Sequence, residues 1–428
     1  MTKKRRAVIV AGTRTPFVKA FGDYLKMDTI ALGCAAVRGL MDQTKLSSKK
    51  VDSVVWGGVI LPGLSPNVGR EIALDLKFPP SVEAMTLTRA CASGLQAITT
   101  AAAAIERGDA DVVIAGGSDS TSNAEIKLPQ KLVHAMAPMA FGKAKPADML
   151  SMMGQLFPVK EVLPSMPKIA ERSTGQVMGE AAEEMAGRNQ ISREAQDDLA
   201  LKSHHRAANA IATGRFNDEV VAVDTPEGKT VTSDGLVRAN TSLEKLSKLR
   251  PVYSKEGTLT AGNSSPLTDG AAAVLLMSEE AAEELGYTPL AFFRSWAYVG
   301  VDPADQLLIG PALAMPKALD KAGLALSDMD YVDIHEAFAA QVLSVTKALE
   351  SPGFAEARLG KTEAVGEIDP DKLNVHGGSI ALGHPFAATG ARMVTTMSNE
   401  LAKSDKKFAL LGICAAGGLG AAAILERA

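Results

Sequence analysis

Two cysteines and two histidines carry the chemistry open to this sequence. Cys91 lies in Arg89-Ala90-Cys91-Ala92-Ser93-Gly94, between an extended stretch over 82–88 and an Ala-, Ile- and Leu-rich run from Leu95 to Arg107. That pattern predicts a strand, a turn and a buried helix. A thiol at a helix N-terminus meets unpaired N–H groups and the positive end of the helix dipole, which favour the thiolate. A free cysteine titrates at about 8.5, so little of it is ionised at neutral pH without such help or a nearby base. The competing role for Cys91 is that of a small buried apolar side chain. His335 opens His335-Glu336-Ala337-Phe338-Ala339 after strand-like Val332-Asp333-Ile334, at a strand end where α/β proteins place their sites. His384 stands in the glycine-rich loop Gly377-Gly378-Ser379-Ile380-Ala381-Leu382-Gly383-His384-Pro385, and Cys414 precedes Ala415-Ala416-Gly417-Gly418-Leu419-Gly420. Glycines let such loops bring N–H groups close to a ligand. Taken singly, each histidine is more often a satisfied structural residue. Together, a cysteine nucleophile, a histidine base, a second cysteine and donor-rich turns suit thioester chemistry. His134, His204 and His205 lack such a setting and read as structural; His376 is open between the two roles.

These residues need a scaffold of some size. A chain of 428 residues suggests two or three domains. Its hydrophobic share of 46% and charged share of 22% are those of a water-soluble globular protein. A net charge of −4 gives no reason to expect nucleic-acid binding. Aromatics make up only 4% while Ala and Gly abound, which favours close helix–sheet packing over an all-β core. Cys34, Cys91 and Cys414 are too few and too scattered for a disulfide framework or a zinc motif, so no metal is expected. The basic start runs into strand-like Ala7-Val8-Ile9-Val10-Ala11-Gly12, too short for a signal segment or a membrane span, and a cytoplasmic location is expected.

Along the chain, Asp28 can cap a helix reaching about Met41, with Cys34 inside it as core packing. Strands are expected at 51–57, 111–117 and 271–277, and helices at 70–76, 179–189 and 192–213. The most informative feature is an internal repeat. Ala92-Ser93-Gly94 aligns with Ala388-Thr389-Gly390 at an offset of 296, which also carries Val113-Ile114-Ala115-Gly116 onto Ala409-Leu410-Leu411-Gly412. At an offset of 278, Asp52-Ser53-Val54 meets Asp330-Tyr331-Val332. Two blocks in the same order imply a duplicated α/β unit with pseudo-two-fold symmetry, its equivalent turns able to face each other. Domains are therefore expected at 1–282 and 283–428, with a loop domain inserted over about 123–249. Residues 148–157 are apolar and Met-rich, suited to a lid, to a docking surface or to an ordinary buried loop helix.

The four motifs around Cys91, His335, His384 and Cys414, in that order and across essentially the whole chain, resemble those of the thiolase family. The resemblance implies an α/β thiolase fold, five-layered αβαβα. It implies that Cys91 takes the acyl group, that His384 activates Cys91, and that Cys414 is the acid/base at the substrate α-carbon. His335, through a water, and His384 would form one oxyanion hole; the backbone N–H groups of Cys91 and Ala416 would form the other. Met178, Gly179 and Ser265 match positions along the pantetheine path of coenzyme A, a co-substrate, and no cofactor is implied. His335 and Ala416 stand where short-chain biosynthetic members usually have Asn and Gly. His335, with Gly378-Ser379-Ile380 and Pro385-Phe386-Ala387-Ala388-Thr389-Gly390, is similar to the β-oxidation members, the bacterial anaerobic type related to the mitochondrial trifunctional β subunit above all. The implied reaction is thiolysis of 3-ketoacyl-CoA in fatty-acid degradation, the alternative being an acetoacetyl-CoA thiolase working in the condensing direction. A homodimer or larger homo-oligomer is implied, as is a hetero-oligomer with a hydratase/3-hydroxyacyl-CoA dehydrogenase subunit. A non-catalytic CoA-ester or lipid carrier is disfavoured because all four catalytic positions are filled, and a decarboxylating condensing enzyme because those usually lack a cysteine like Cys414.

Overall fold

The computed structural model describes residues 5–140 and 170–428, together with 142, 145, 154, 156–158, 161 and 163. Most of the 148–157 stretch, and with it any lid or docking role, lies outside the described residues. The contacts divide the chain into Met1–Asn123 with Ala170–Ala428, and Ala124–Ile169 by itself. The second unit contains the helix Gln130–Ala140, interrupted by Pro138. The expected insertion over 123–249 was wider than this, and its part from Ala170 onward belongs to the larger unit. No helix among the described residues is long and apolar enough to cross a membrane.

In the larger unit, twelve strands follow in chain order: β1 (Ala7–Arg14), β2 (Val18–Lys19), β3 (Ser53–Gly57), β4 (Glu83–Leu87), β5 (Val112–Ser120), β6 (Val223–Asp224), β7 (Thr230–Val231), β8 (Thr268–Ser278), β9 (Ala291–Gly300), β10 (Tyr331–Ile334), β11 (Phe408–Ala415) and β12 (Leu419–Arg427). β6 and β7 form a separate small hairpin. The rest build one sheet in the order β10-β11-β12-β9-β1-β8-β5-β3-β4, with β2 beside β8. The order reads alike outward from its middle. β1-β8-β5-β3 is answered by β9-β12-β11-β10, and in place of β4 the second half has a single parallel bridge from Val332 to Leu373. Within the sheet the halves are joined by β1 and β9, where Val8 faces Phe292 and Ile9 faces Ala291.

The helices that matter for the site are α1 (Thr29–Thr44), α2 (Val68–Asp75), α3 (Ser93–Arg107), α4 (Met178–Arg188), α5 (Arg193–Ala212), α6 (Pro311–Ala322), α7 (Ala339–Leu349), α8 (Ser379–Leu382) and α9 (Ala388–Lys403). Alternation along the strands sends successive side chains to opposite faces. Val113 and Ala115 of β5 and Ala409 and Leu411 of β11 therefore enter a central core with α3 and α9. Val112 and Ile114 turn the other way, onto α1 and α2. Leu410 and Ile424 turn outward onto α6 and α7. The result is five layers, αβαβα, with α3 and α9 in the middle. Asp28 caps α1 by accepting from Ala31 N at 2.8 Å, and Ser192 caps α5 by accepting from Ala195 N at 3.2 Å. Neither β9 nor β12 was read from the sequence. β12 is buried and rich in Ala, so no alternation of polar residues marks it. β9 does alternate in burial, but its more open face carries Phe292, Trp296 and Tyr298 beside a single charge, Arg294, so a polar alternation does not show.

The middle of the molecule shows how close the two halves come. A Cβ on Gly94 would lie 2.2 Å from Ala387 O, and one on Gly390 would lie 2.6 Å from Leu95 N. Only glycine lets the N-terminal turns of α3 and α9 touch backbone to backbone.

Candidate active site

Cys91 sits on the turn entering α3. Ala90, before it, holds a φ of +45°, a left-handed conformation that costs an alanine about 1 kcal/mol or more. Ser93 keeps the turn in place: its Oγ accepts from Arg89 N at 2.7 Å and donates to Ala90 O at 2.6 Å. His384 sits on the matching turn before α9, where Phe386 has a φ of +29°. The backbone of His384 donates to Thr268 Oγ1 at 3.1 Å, and its Nδ1 meets Thr389 Oγ1 at 2.7 Å. His335 leaves the end of β10 with its N–H on Gly412 O, 2.8 Å away, and its Nδ1 on Ser379 Oγ, 2.9 Å away. One hydroxyl thus orients each imidazole, and the Nε2 atoms of both are buried without a hydrogen bond.

These three side chains converge. The Cys91 sulfur and one ring nitrogen each of His335 and His384 lie within 4.8 Å of one another, and the two ring centroids are 4.1 Å apart. Cys414, at the buried end of β11, is close enough that Cys91 bears on its ionisation. The Ala416 N–H points at the Cys91 sulfur. Two glycines with positive φ, Gly417 (+86°) and Gly418 (+64°), make the turn that aims Ala416. That turn is pinned from both sides: Glu171 accepts from Gly417 N at 2.8 Å, and Gly418 O accepts from Val301 N at 2.6 Å.

The ionisation of the site departs from the expectation of a thiolate at Cys91. Although the residue is only half-buried, protein atoms surround its sulfur, and burial pushes the thiol up to about 12. The N–H groups of Ala416 and of Cys91 itself pull the other way, and the nearby Asp119 carboxylate adds to the rise. Burial is the largest influence on the thiol and outweighs what the helix terminus offers. Burial, and then the charge of Arg392, take His384 down to about 3. His335 is driven well below its ordinary value by burial, by His384 and by Arg392. Burial and then Cys91 push the Cys414 thiol well up. The resting site is neutral throughout: two thiols and two imidazoles.

Several residues that position this site were not read as site residues from the sequence. Asp119, buried at the end of β5, accepts from Val59 N (2.9 Å), Ile60 N (2.6 Å) and Ala387 N (2.8 Å). It ties the His384 turn to the first half, and burial lifts its carboxyl to about 7 against those three donors. Glu336 accepts from Ser203 Oγ (2.6 Å), Asn374 Nδ2 (2.7 Å) and Ile380 N (3.2 Å), joining the His335 and His384 segments to α5. Arg392 is buried on α9 against Asp333, 3.1 Å away. Thr389 had a signal in the sequence, since the repeat aligns it with Ser93, and Ser379 stands in the quoted loop motif. Asp119 and Arg392 had none.

The remaining expected residues lie as follows. Ser265 donates its N–H to Ala337 O at 3.0 Å, two residues beyond His335. Met178 packs in the apolar cluster that contains Cys414 and Phe338. Gly179 is buried against the Tyr253 ring, which a Cβ would meet at 2.1 Å. His204 is buried and accepts from Arg238 N at 3.2 Å. His376 Nε2 donates to Glu400 Oε2, 2.6 Å away, and Glu400 also accepts from Arg215, so His376 belongs to the cluster around Glu400 and not to the site.

Comparison with known proteins gives the family. Residues 7–280 match the thiolase N-terminal domain and residues 287–427 the thiolase C-terminal domain. The chain is 43% identical over 423 residues to a 3-ketoacyl-CoA thiolase of Aeromonas salmonicida, covering 98% of this chain and 97% of that one. It is 44% identical over 426 residues to one of Yersinia pestis, with the same coverage. Among solved structures, human mitochondrial 3-ketoacyl-CoA thiolase superposes with a TM-score of 0.85 at 32% identity over 99% of both chains. Bacillus anthracis acetyl-CoA acetyltransferase superposes with a TM-score of 0.84 at 32% identity, again over 99% of both. Both domain matches and these relatives show that the chain belongs to the thiolase family of acyltransferases.

Proposed function

We propose that this protein cleaves 3-ketoacyl-CoA with CoA, giving acetyl-CoA and a shortened acyl-CoA, in fatty-acid degradation. The observation that carries the reading is the convergence of the Cys91 sulfur and the two imidazoles within 4.8 Å. With Thr389 Oγ1 accepting from Nδ1–H, His384 Nε2 holds the lone pair a base needs. It takes the Cys91 proton as the sulfur attacks the substrate's 3-carbonyl carbon. The bond between C2 and C3 then breaks, and Cys414 supplies the proton to C2 that completes acetyl-CoA. In the second half the Cys414 thiolate takes the proton of CoA–SH. The CoA sulfur attacks the acyl group on Cys91, and His384 returns the proton to the leaving Cys91 sulfur.

Negative charge develops on a carbonyl oxygen in each half. One oxyanion hole is formed by His384 Nε2 and, through a water, His335. The Cys91 and Ala416 N–H groups form the other. A site that is neutral at rest and buried stabilises such charge mainly in the transition state, which is where binding accelerates a reaction. Met178, Gly179 and Ser265 line the pantetheine path. A human mitochondrial thiolase solved with CoA, superposing with a TM-score of 0.83 at 34% identity, supports a CoA ester as the ligand. A homo-oligomer fits β4, which ends the sheet with Met85 exposed, the kind of edge that a second copy pairs with. A hydratase/3-hydroxyacyl-CoA dehydrogenase subunit is the hetero-partner that would supply the 3-ketoacyl substrate.

The test is a single turnover without CoA. A long-chain 3-ketoacyl-CoA should leave the shortened acyl group on Cys91, read by peptide mass, with one acetyl-CoA released per chain. Obligatory ternary-complex kinetics with no acyl-cysteine would overturn the mechanism. A preference for acetoacetyl-CoA over long-chain substrates would favour the condensing alternative.

A further inference from the structure

The site that no sequence spacing could show is a set of metal ligands. Cys91, His335 and His384 stand far apart in the chain, yet the sulfur and one nitrogen from each ring lie within 4.8 Å of one another. Ser379 and Thr389 hold the Nδ1 atoms, which leaves the two buried Nε2 atoms, both without a hydrogen bond, as the free donors. A hydroxyl on the far nitrogen of each ring is the outer support that metal-binding histidines require, because it fixes ring orientation and tautomer. Around a tetrahedral zinc, neighbouring ligand atoms stand about 3.3–3.6 Å apart. The three atoms therefore need to close by little more than about 1 Å. Small shifts of the three side chains would supply this.

We propose that Cys91, His335 and His384 bind one thiophilic divalent cation, Zn2+ being its representative, and that the bound cation blocks acylation of Cys91. The donor set is one sulfur and two nitrogens, which suits Zn2+ and not the oxygen-seeking Mg2+ or Ca2+. On binding, the Cys91 S–H bond breaks, its proton passes to solvent and the sulfur–metal bond forms. The imidazoles coordinate as neutral donors and release none. The charge of Arg392 acts on both rings and opposes a cation, but Asp333 pairs with it at 3.1 Å, and the Asp119 carboxylate acts on Cys91 in the opposite sense. Cation and acyl group compete for one sulfur, so a resting chain is sensitive and an acyl-enzyme is not. Metal capture depends on these three atoms and not on the identity of the acyl substrate.

The test titrates the full chain with Zn2+ against a competing chelator and counts bound metal by elemental analysis. One Zn2+ per chain is expected, with affinity reduced about 100-fold or more in Cys91→Ala and in His335→Asn, and kept in Cys414→Ala. In the unmutated chain, Zn2+ should slow alkylation of Cys91 and leave Cys34 unaffected, while Mg2+ does neither. This reading holds even if a variant folds poorly. Zn2+ that binds equally well without Cys91 and His335, or that leaves Cys91 alkylation unchanged, overturns the proposal.

Discussion

Ala90 on the turn before α3 has a φ of +45°, and Phe386 on the turn before α9 has a φ of +29°, although neither is glycine. The offset of 296 carries one residue onto the other. The hydrogen bonds correspond as well. Ala92 N and Ser93 N bond to Arg89 O and Ala90 O at the first turn, and Ala388 N and Thr389 N bond to Pro385 O and Phe386 O at the second. The backbone was copied with its strain, while the side chains diverged. The first turn carries Cys91 where the second has Ala387; the second carries His384 where the first has Thr88. Duplication supplied two turns facing across a pseudo-two-fold axis, and in the proposed mechanism each carries one half of a proton-transfer pair.

The largest effect should come from the residue that makes the turns unequal. Cys91→Ala should lower kcat by about ten-thousandfold or more with the fold intact, since no other group can take the acyl chain. The unmutated thiol offers a check on the neutral site. Because it is pushed up to about 12, it stays protonated through neutral and mildly alkaline pH, and its alkylation rate should climb about tenfold per pH unit well beyond pH 9. A plateau near pH 7 would mean that the resting site holds a thiolate.

Next come the glycines that let the turns touch. Gly94→Ala and Gly390→Ala each push a methyl group into backbone, at 2.2 Å and 2.6 Å, where no side chain can yield. Each should destabilise by about 3 kcal/mol or more in denaturant unfolding, with Gly94→Ala the worse of the two. An effect at only one of them would show that one half tolerates separation from the other.

A smaller loss is expected where one half holds the other's turn. Asp119 accepts three N–H groups, two on one oxygen and one on the other, so Asp119→Asn must set an NH2 against a donor. About 1–3 kcal/mol should be lost. Activity should fall with kcat more than with KM, because Ala387 and the His384 turn shift while the CoA path does not. A pure KM effect would place Asp119 outside the positioning of His384.

Much of this was legible in the sequence, and the reasons differ by element. The four motifs found Cys91, His335, His384 and Cys414 because glycines and a strand end mark such loops. The repeat foretold that the two turns would face each other, and it paired Thr389 with Ser93 before either bond was visible. β12 stayed hidden because a strand buried on both faces shows no alternation, and β9 because aromatic side chains fill most of its more open face. Asp119 was silent because its three partners come from residues about 59 and 268 positions away, a distance that no local pattern spans. The thiolate expected at Cys91 failed for a related reason: the helix terminus is local and readable, whereas the burial that outweighs it is tertiary.

The finest test of equivalence lies away from the chemistry. Asp52, just before β3, accepts from Asp111 N at 2.7 Å and Val112 N at 2.8 Å, latching the start of β5. Asp330, just before β10, accepts from Lys407 N at 2.7 Å and Phe408 N at 3.1 Å, latching the start of β11. The offset of 278 joins the two aspartates and the offset of 296 joins their partners, so the latch survived although the connecting segments changed length. In both latches the two bonds fall on a single oxygen. Asparagine can present one such oxygen, and alanine cannot. Asp52→Asn and Asp330→Asn should therefore lose well under about 1 kcal/mol, and the alanine variants about 1–2 kcal/mol. Within a few tenths of a kcal/mol, the two sites should match at each substitution. A latch that matters in one half and not in the other would mean that the halves share a fold without sharing the forces that hold it.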